Sequence, residues 1–329
     1  MKYIIGIDMG GTSVKMLLAD EEYRVRQEDV FLTPKKGSAP EEMYDRIVAS
    51  IENMLAEEGA SRNELLGVGI GVPGPVNFES GMIYTLPNVG WKNVPVRNDL
   101  EERLQAPVFV DNDGSVNVMG EYVFGAGRGY RNIVELILGT GLGGGVLING
   151  EILRGRDNVA AELGHFVIVE DGEPCGCGNH GCLETYVNIS GMTRAAKQKA
   201  KEYPYTAMLA LADGEPELIT PKIVNEACQV GDTAALETLA IYTEHLTTGV
   251  NSLINIFNPE VVILSGGISA FGERLLAPLR ERVELNLMHD IQKCPIVTGE
   301  LYQRAGVLGA CAMVGHQLGE PEANGKVNE

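Results

Sequence analysis

Three cysteines fall inside eight residues, Cys175, Cys177 and Cys182 of Cys-Gly-Cys-Gly-Asn-His-Gly-Cys, between Glu162-Leu163-Gly164-His165 and Glu184. Thiolates are soft, tight ligands for zinc, and the interleaved glycines let the backbone turn around one ion. His165 can supply a nitrogen to complete a tetrahedral set, with His180 as the rival fourth ligand. Four protein ligands leave no open coordination position, so such an ion would be structural rather than catalytic. A local disulfide or three incidental thiols are the competing readings.

Carboxylates and glycines form the second group. Asp8 leads into Met9-Gly10-Gly11-Thr12, and Gly139-Thr140-Gly141 follows another apolar run. Glycine lets backbone N–H groups approach phosphate oxygens without a Cβ clash, yet each turn alone reads equally well as an ordinary tight turn. Neither is a Walker loop or a dinucleotide fingerprint, both of which open a helix. Joined by Ser265-Gly266-Gly267, the two turns suggest a three-sided nucleotide cleft. Asp8 stands where a carboxylate can hold a hydrated magnesium ion beside phosphates. Asp113, in Asp111-Asn112-Asp113, can take the proton of a hydroxyl attacking a terminal phosphoryl group, although spacing alone favours a capping turn for these three residues.

The elements that would position these groups are legible from periodicity and punctuation. Tyr3 to Ile7 and Val14 to Leu18 read as two strands around the first glycine turn, and the pattern returns about 130 residues later as Ile133 to Leu138, Gly139 to Gly145 and Val146 to Ile148. That return predicts a duplicated domain. Met43, Ile47, Ile51 and Leu55 recur at helical spacing after Pro40-Glu41-Glu42. Leu66 to Val72 reads as a buried strand, Gly71 to Asn77 as a constrained loop, and Val108 to Val110 as a strand delivering the Asp111 triplet. Ligands of open α/β sheets gather at such strand ends. Further on, Ala234 to Phe257, Leu275 to Leu287 and Arg304 to Leu318 read as helices, Val261 to Leu264 as a strand, and Glu320 to Glu329 as a frayed polar tail.

The chain of 329 residues is 44% hydrophobic, enough for two globular domains. Its 26 basic and 45 acidic side chains give a net charge of -19, which removes the general attraction that nucleic-acid binding needs. No nucleic acid and no membrane is expected as a partner, and any phosphate must be recognised locally, by backbone N–H groups, a metal ion or a helix N-terminus. The opening residues read directly into a strand rather than a signal peptide, and Cys228, Cys294 and Cys311 are scattered, so a reducing, cytoplasmic location is expected.

Taken together, Asp8-Met9-Gly10-Gly11-Thr12, Pro73-Gly74-Pro75-Val76, Asn112-Asp113, Gly139 to Gly145, Glu162 to His165, Cys175 to Glu184 and Ser265-Gly266-Gly267 resemble the ROK family of sugar kinases and repressors, over nearly the whole chain. The resemblance implies an α/β protein of the actin-like ATPase (ribonuclease H-like) fold, with two duplicated domains and a ligand cleft between them. Residues 1–118, joined by the C-terminal helix 304–318, would form one domain, and 119–303 with the zinc motif the other. It implies ATP-dependent hexose phosphorylation with Asp113 as general base. Gly74, Asn88, Asn112, Asp113, Glu162, His165 and Glu184 would bind the sugar. Asp8, Gly10, Gly11, Thr12, Lys15, Gly139, Thr140, Gly141, Gly266 and Gly267 would bind ATP and, at Asp8 through water, Mg2+. His165, Cys175, Cys177 and Cys182 would hold a structural Zn2+.

The Gly74 loop and Leu86-Pro87-Asn88-Val89-Gly90-Trp91 resemble the glucokinase branch, so D-glucose is the expected hexose and glycolysis the expected context. N-acetylmannosamine, N-acetylglucosamine and fructose are the alternatives, because small shifts around C2 decide them. Where the family reads Asn-Asp-Ala-Asn, this chain has Asn112-Asp113-Gly114-Ser115. A homodimer is the family expectation. A sugar-responsive regulator is the rival of a different class; repressors of the family carry a helix-turn-helix ahead of the sugar domain, whereas this acidic sequence opens at the glycine hairpin.

Overall fold

A computed structural model describes residues 1–288 and 293–319; the tail expected to fray, 320–329, lies outside the described residues. The chain opens with strands β1 (Tyr3–Met9), β2 (Ser13–Asp20) and β3 (Val25–Leu32), then helix α1 (Pro40–Glu57). The first two strands make the expected hairpin, in antiparallel register from Tyr3 opposite Asp20 to Met9 opposite Val14. Helix α1 starts where Pro40 presets φ and where Glu41 and Glu42 meet the positive end of the helix dipole. Its stripe of Met43, Ile47, Ile51 and Leu55 is buried, each side chain contributing about 1.5–3 kcal/mol by leaving water.

Strand β4 (Leu65–Val72) runs parallel to β1, and β5 (Val76–Asn77), β6 (Met82–Leu86) and β7 (Trp91–Val94) form a small separate sheet. Helix α2 (Val96–Leu104) leads to β8 (Val108–Asn112), parallel to β4, and β8 passes without a loop into α3 (Asp113–Phe124).

The second half begins with β9 (Ile133–Leu138), β10 (Leu142–Ile148) and β11 (Glu151–Ile152). Strand β10 starts at Leu142, not at the expected Val146. Its glycines are strand residues, small because a Cβ on Gly144 would lie 2.6 Å from the Glu135 carbonyl and 2.9 Å from Leu163. Helices α4 (Glu184–Val187), α5 (Ile189–Glu202), α6 (Ala207–Leu211), α7 (Pro221–Gln229) and α8 (Thr233–Phe257) follow. The long α8 is capped by Asp232, which accepts from Ala235 N at 2.9 Å, and stops at left-handed Asn258 before Pro259. Then come β12 (Val261–Ser265), α9 (Glu273–Leu285), β13 (Ile296–Thr298) and α10 (Ala305–Leu318).

The two five-stranded sheets repeat one order, β3-β2-β1-β4-β8 and β11-β10-β9-β12-β13. In each, a meander supplies the first three strands and crossovers add the other two, as the duplicated sequence pattern predicts. The chain also divides into two compact units, whose boundary does not follow the two sheets. One takes Met1–Ile133, Gly145–Ala161 and the described residues from Gly299 onward; the other takes Val134–Gly144 and Glu162–Thr298. The first unit extends past residue 118 because α3 stays whole and packs on α10 within it. Buried Glu121 of α3 fastens that arrangement, accepting from Ala126 N, Glu300 N and Leu301 N at 2.8, 3.1 and 2.9 Å. Among the described residues no helix is long and apolar enough to cross a membrane.

Candidate active site and metal centre

In the first unit, Asp8 lies at the end of β1, opposite Lys15 on β2 and Gly71 on β4. Burial raises its carboxyl above the ordinary value, and the Lys15 charge opposes that rise. The glycine turn beyond it is closed by Gly10 N donating to Ser13 O at 3.0 Å and buttressed by Thr33 Oγ1 donating to Gly10 O at 2.7 Å. Gly11 and Thr12 are exposed at its tip. The Asn88 side chain comes against this tip, since a Cβ on Gly11 would lie 2.8 Å from Asn88 Nδ2. Lys15 Nζ donates to Gln303 O at 3.3 Å, just ahead of α10.

The parallel strands β4 and β8 end side by side, with Gly71 opposite Asp111 and Val72 opposite Asn112. Asn112 does two things there. Its Oδ1 accepts from Gly114 N at 2.9 Å, which caps α3, and its Nδ2 donates to Gly74 O at 3.3 Å. The capping reading of this triplet therefore holds at Asn112. Asp113 is the first residue of α3, its Oδ1 accepting from Gly114 N at 2.9 Å. Asp111 is buried beside it, and Arg154 donates to its Oδ2 from Nε at 3.0 Å. Burial raises the Asp111 carboxyl, against the pull of Arg154.

In the second unit, the turn after β9 is closed by Gly139 N donating to Gly141 O at 3.0 Å, the counterpart of the first turn. Glu184, opening α4, sits beneath it. Its Oε2 accepts from Leu142 N at 2.8 Å, and a Cβ on Gly141 would lie 2.8 Å from that oxygen. Gly266 follows β12 with φ of 85°, and a Cβ there would approach the Leu138 carbonyl to 2.5 Å, so the second and third glycine turns are adjacent for want of side chains. Glu162 is exposed, and its carbonyl accepts from His165 N at 3.1 Å. Glu184 N donates to Gly164 O at 2.9 Å, which joins the two sequence motifs.

His165, Cys175, Cys177 and Cys182 converge, their ligand atoms all within 4.8 Å of one another. His180 is not in this group, and all three cysteines are free thiols. Bonds of about 2.3 Å to sulfur and about 2.0–2.1 Å to nitrogen place tetrahedral neighbours about 3.8 Å apart for two sulfurs and about 3.5 Å for sulfur and nitrogen. Cys177 Sγ and Cys182 Sγ are 3.7 Å apart, and Cys175 Sγ is 3.6 Å from His165 Nδ1. The four donors thus fit one tetrahedral ion. His165 offers Nδ1 to it, which leaves Nε2 on the opposite side of the ring. Glu184 Oε1 is 4.0 Å from Cys175 Sγ, so the carboxylate links the cysteine knot to the glycine turn. Burial, reinforced by the Cys175 and Cys177 thiols, pushes the Cys182 thiol up.

Sequence reasoning missed Arg154. Its partner Asp111 is 43 residues away. Only the non-local strand arrangement could reveal the pair.

Comparison with known proteins adds an independent line. The ROK family model matches residues 4–317. A glucokinase of Thermotoga maritima is 37% identical over 318 residues, covering 96% of this chain and 98% of the relative. A glucokinase of Streptomyces coelicolor is 36% identical over 314 residues, covering 94% and 96%. Among solved structures, a ROK family glucokinase from Streptomyces griseus in complex with glucose and AMPPNP is similar with a TM-score of 0.78 at 35% identity, covering 94% of this chain and 98% of that one.

Proposed function

Since the chain belongs to the ROK family and has its actin-like ATPase fold, we propose that it transfers the γ-phosphoryl group of ATP to the 6-hydroxyl of D-glucose. The observation that carries this reading is the strand end where Asn112 joins the Gly74 loop to the start of α3 and sets Asp113 at that helix's first residue. Glucokinase relatives at 36–37% identity support glucose over the other hexoses.

Asp113 accepts the hydroxyl proton as the sugar oxygen forms its bond to the γ-phosphorus and the bond from that phosphorus to the ADP oxygen breaks. Gly74, Asn88, Asn112, Glu162, His165 and Glu184 would bind the sugar hydroxyls. The turns Gly10-Gly11-Thr12, Gly139-Thr140-Gly141 and Gly266-Gly267, with Lys15, receive the nucleotide. Asp8 would hold Mg2+ through water, and magnesium there supplies neutralising charge to the phosphates. The His165, Cys175, Cys177 and Cys182 set would hold Zn2+, whose role is structural because the protein fills every position. We assign the protein to the entry of hexose into glycolysis in the cytoplasm, where free thiols persist, and to the homodimeric state that the family resemblance implies.

Asp113→Asn tests the assignment. The amide keeps shape and hydrogen bonding but takes no proton, so calorimetric glucose affinity should stay within a few-fold while kcat falls by roughly 10²–10⁴. A variant that retains the parental kcat overturns Asp113 as the base.

A further inference from the structure

Arg154 lies outside every motif above, yet it touches both flanks of the Asn112 strand end. Its Nε and Nη2 donate to Asp111 Oδ2 at 3.0 and 2.8 Å, and its guanidinium lies 3.7 Å from the centroid of the Phe78 ring. Asp111 is 2% exposed and gives its other oxygen to Asn112 N at 2.8 Å. Phe78 directly follows β5, in a turn closed by Gly81 N donating to Asn77 O at 2.8 Å. One cation therefore grips both β8, which ends at Asn112 directly before Asp113, and the turn at Phe78, which β5 joins to the Gly74 loop. Its own carbonyl accepts from Ala160 N at 3.0 Å, closing the loop that hands the chain on to Glu162.

We propose that Arg154 is a positioning residue for hexose phosphorylation, holding the Asp113 carboxylate and the Gly74 loop in one fixed arrangement through Asp111 and Phe78. This rests on the kinase reading given above. Stability alone accounts poorly for the pair, because burying an ion pair is often neutral or worse than burying apolar side chains of the same size. Its value is geometric. A guanidinium presents two donors and a flat face at once, so it can hold a carboxylate edge-on while stacking on a ring, which an ammonium cannot.

The test compares Arg154→Lys and Phe78→Leu with the parent for kcat, glucose KM, ATP KM and melting temperature. Lysine keeps Asp111 partnered by a charge but loses the two-nitrogen grip and the stack. The role predicts a folded Arg154→Lys protein with kcat lower by roughly 10- to 100-fold, as a misplacement of about 1 Å produces. Glucose KM rises and ATP KM does not. Phe78→Leu, which leaves the ion pair intact, should raise glucose KM with a smaller loss of kcat. Folded variants with parental kinetics overturn the role, as does a loss shared equally by glucose and ATP that follows a lowered melting temperature. Should Arg154→Lys fail to fold, Phe78→Leu decides alone, and parental glucose kinetics there overturn it. A parent that phosphorylates no hexose would instead overturn the kinase reading, and this role with it.

Discussion

Burial raises the Asp8 carboxyl while Lys15, its cross-strand neighbour, pulls the other way. In the folded chain Asp8 thus keeps its proton to a higher pH than the ordinary 3.8, so its contribution favours folding at low pH and turns unfavourable as pH rises through that window. Asp8→Asn should accordingly melt at a higher temperature than the parent at neutral pH, with the difference narrowing as pH falls toward the ordinary aspartate value. The same variant should lose magnesium-dependent nucleotide use, because the amide is a poor partner for a hydrated divalent ion. Melting curves across pH and a magnesium titration check both halves. A lower melting temperature at neutral pH contradicts the burial account, and an unchanged magnesium dependence removes Asp8 from the metal.

At the scale of elements, the cysteine knot is the clearest device. It fastens Cys175 to Cys182 onto His165, and Glu184 leaves it to reach the turn at Gly141. Elemental analysis should find one zinc per chain. Cys177 is exposed, so Cys177→Ser removes a ligand without opening a hole in the core. It should lower the zinc content and raise glucose KM by roughly 10-fold, with less effect on kcat, because His165 and Glu184 lose their support. A parent without zinc defeats the metal assignment. The knot, the two hairpins, α1, α8 and α10 were all readable from the sequence, since each is punctuated by Gly, Pro or a capping residue, and α1 also buries a periodic face. Strand β3 carries Glu28 and Asp29 at a sheet edge, and strands β5 to β7 are too short for a periodic pattern to declare itself. The junction of β8 and α3 was only half legible, because Asn112 serves as cap and as a link to Gly74 at once. Arg154 was illegible, since only the fold brings it to Asp111.

Across the whole molecule, one strand order used twice yields two strand ends of the same kind, each with a glycine turn after its first strand: Gly10-Gly11-Thr12 and Gly139-Thr140-Gly141. The two copies have diverged in what surrounds the turn. The first has Asp8 and Lys15, and the second has Glu184 and the cysteine knot. With a net charge of -19 the protein offers ATP no long-range attraction, so the proposed nucleotide recognition would have to be local. The most direct measurement of the central claim is product formation with ATP and magnesium across D-glucose, fructose, N-acetylmannosamine and N-acetylglucosamine. The account predicts glucose 6-phosphate and ADP in equal amounts, with the highest kcat/KM for glucose; no hexose-dependent ADP release, or a higher kcat/KM for an N-acetylated hexose, would contradict it.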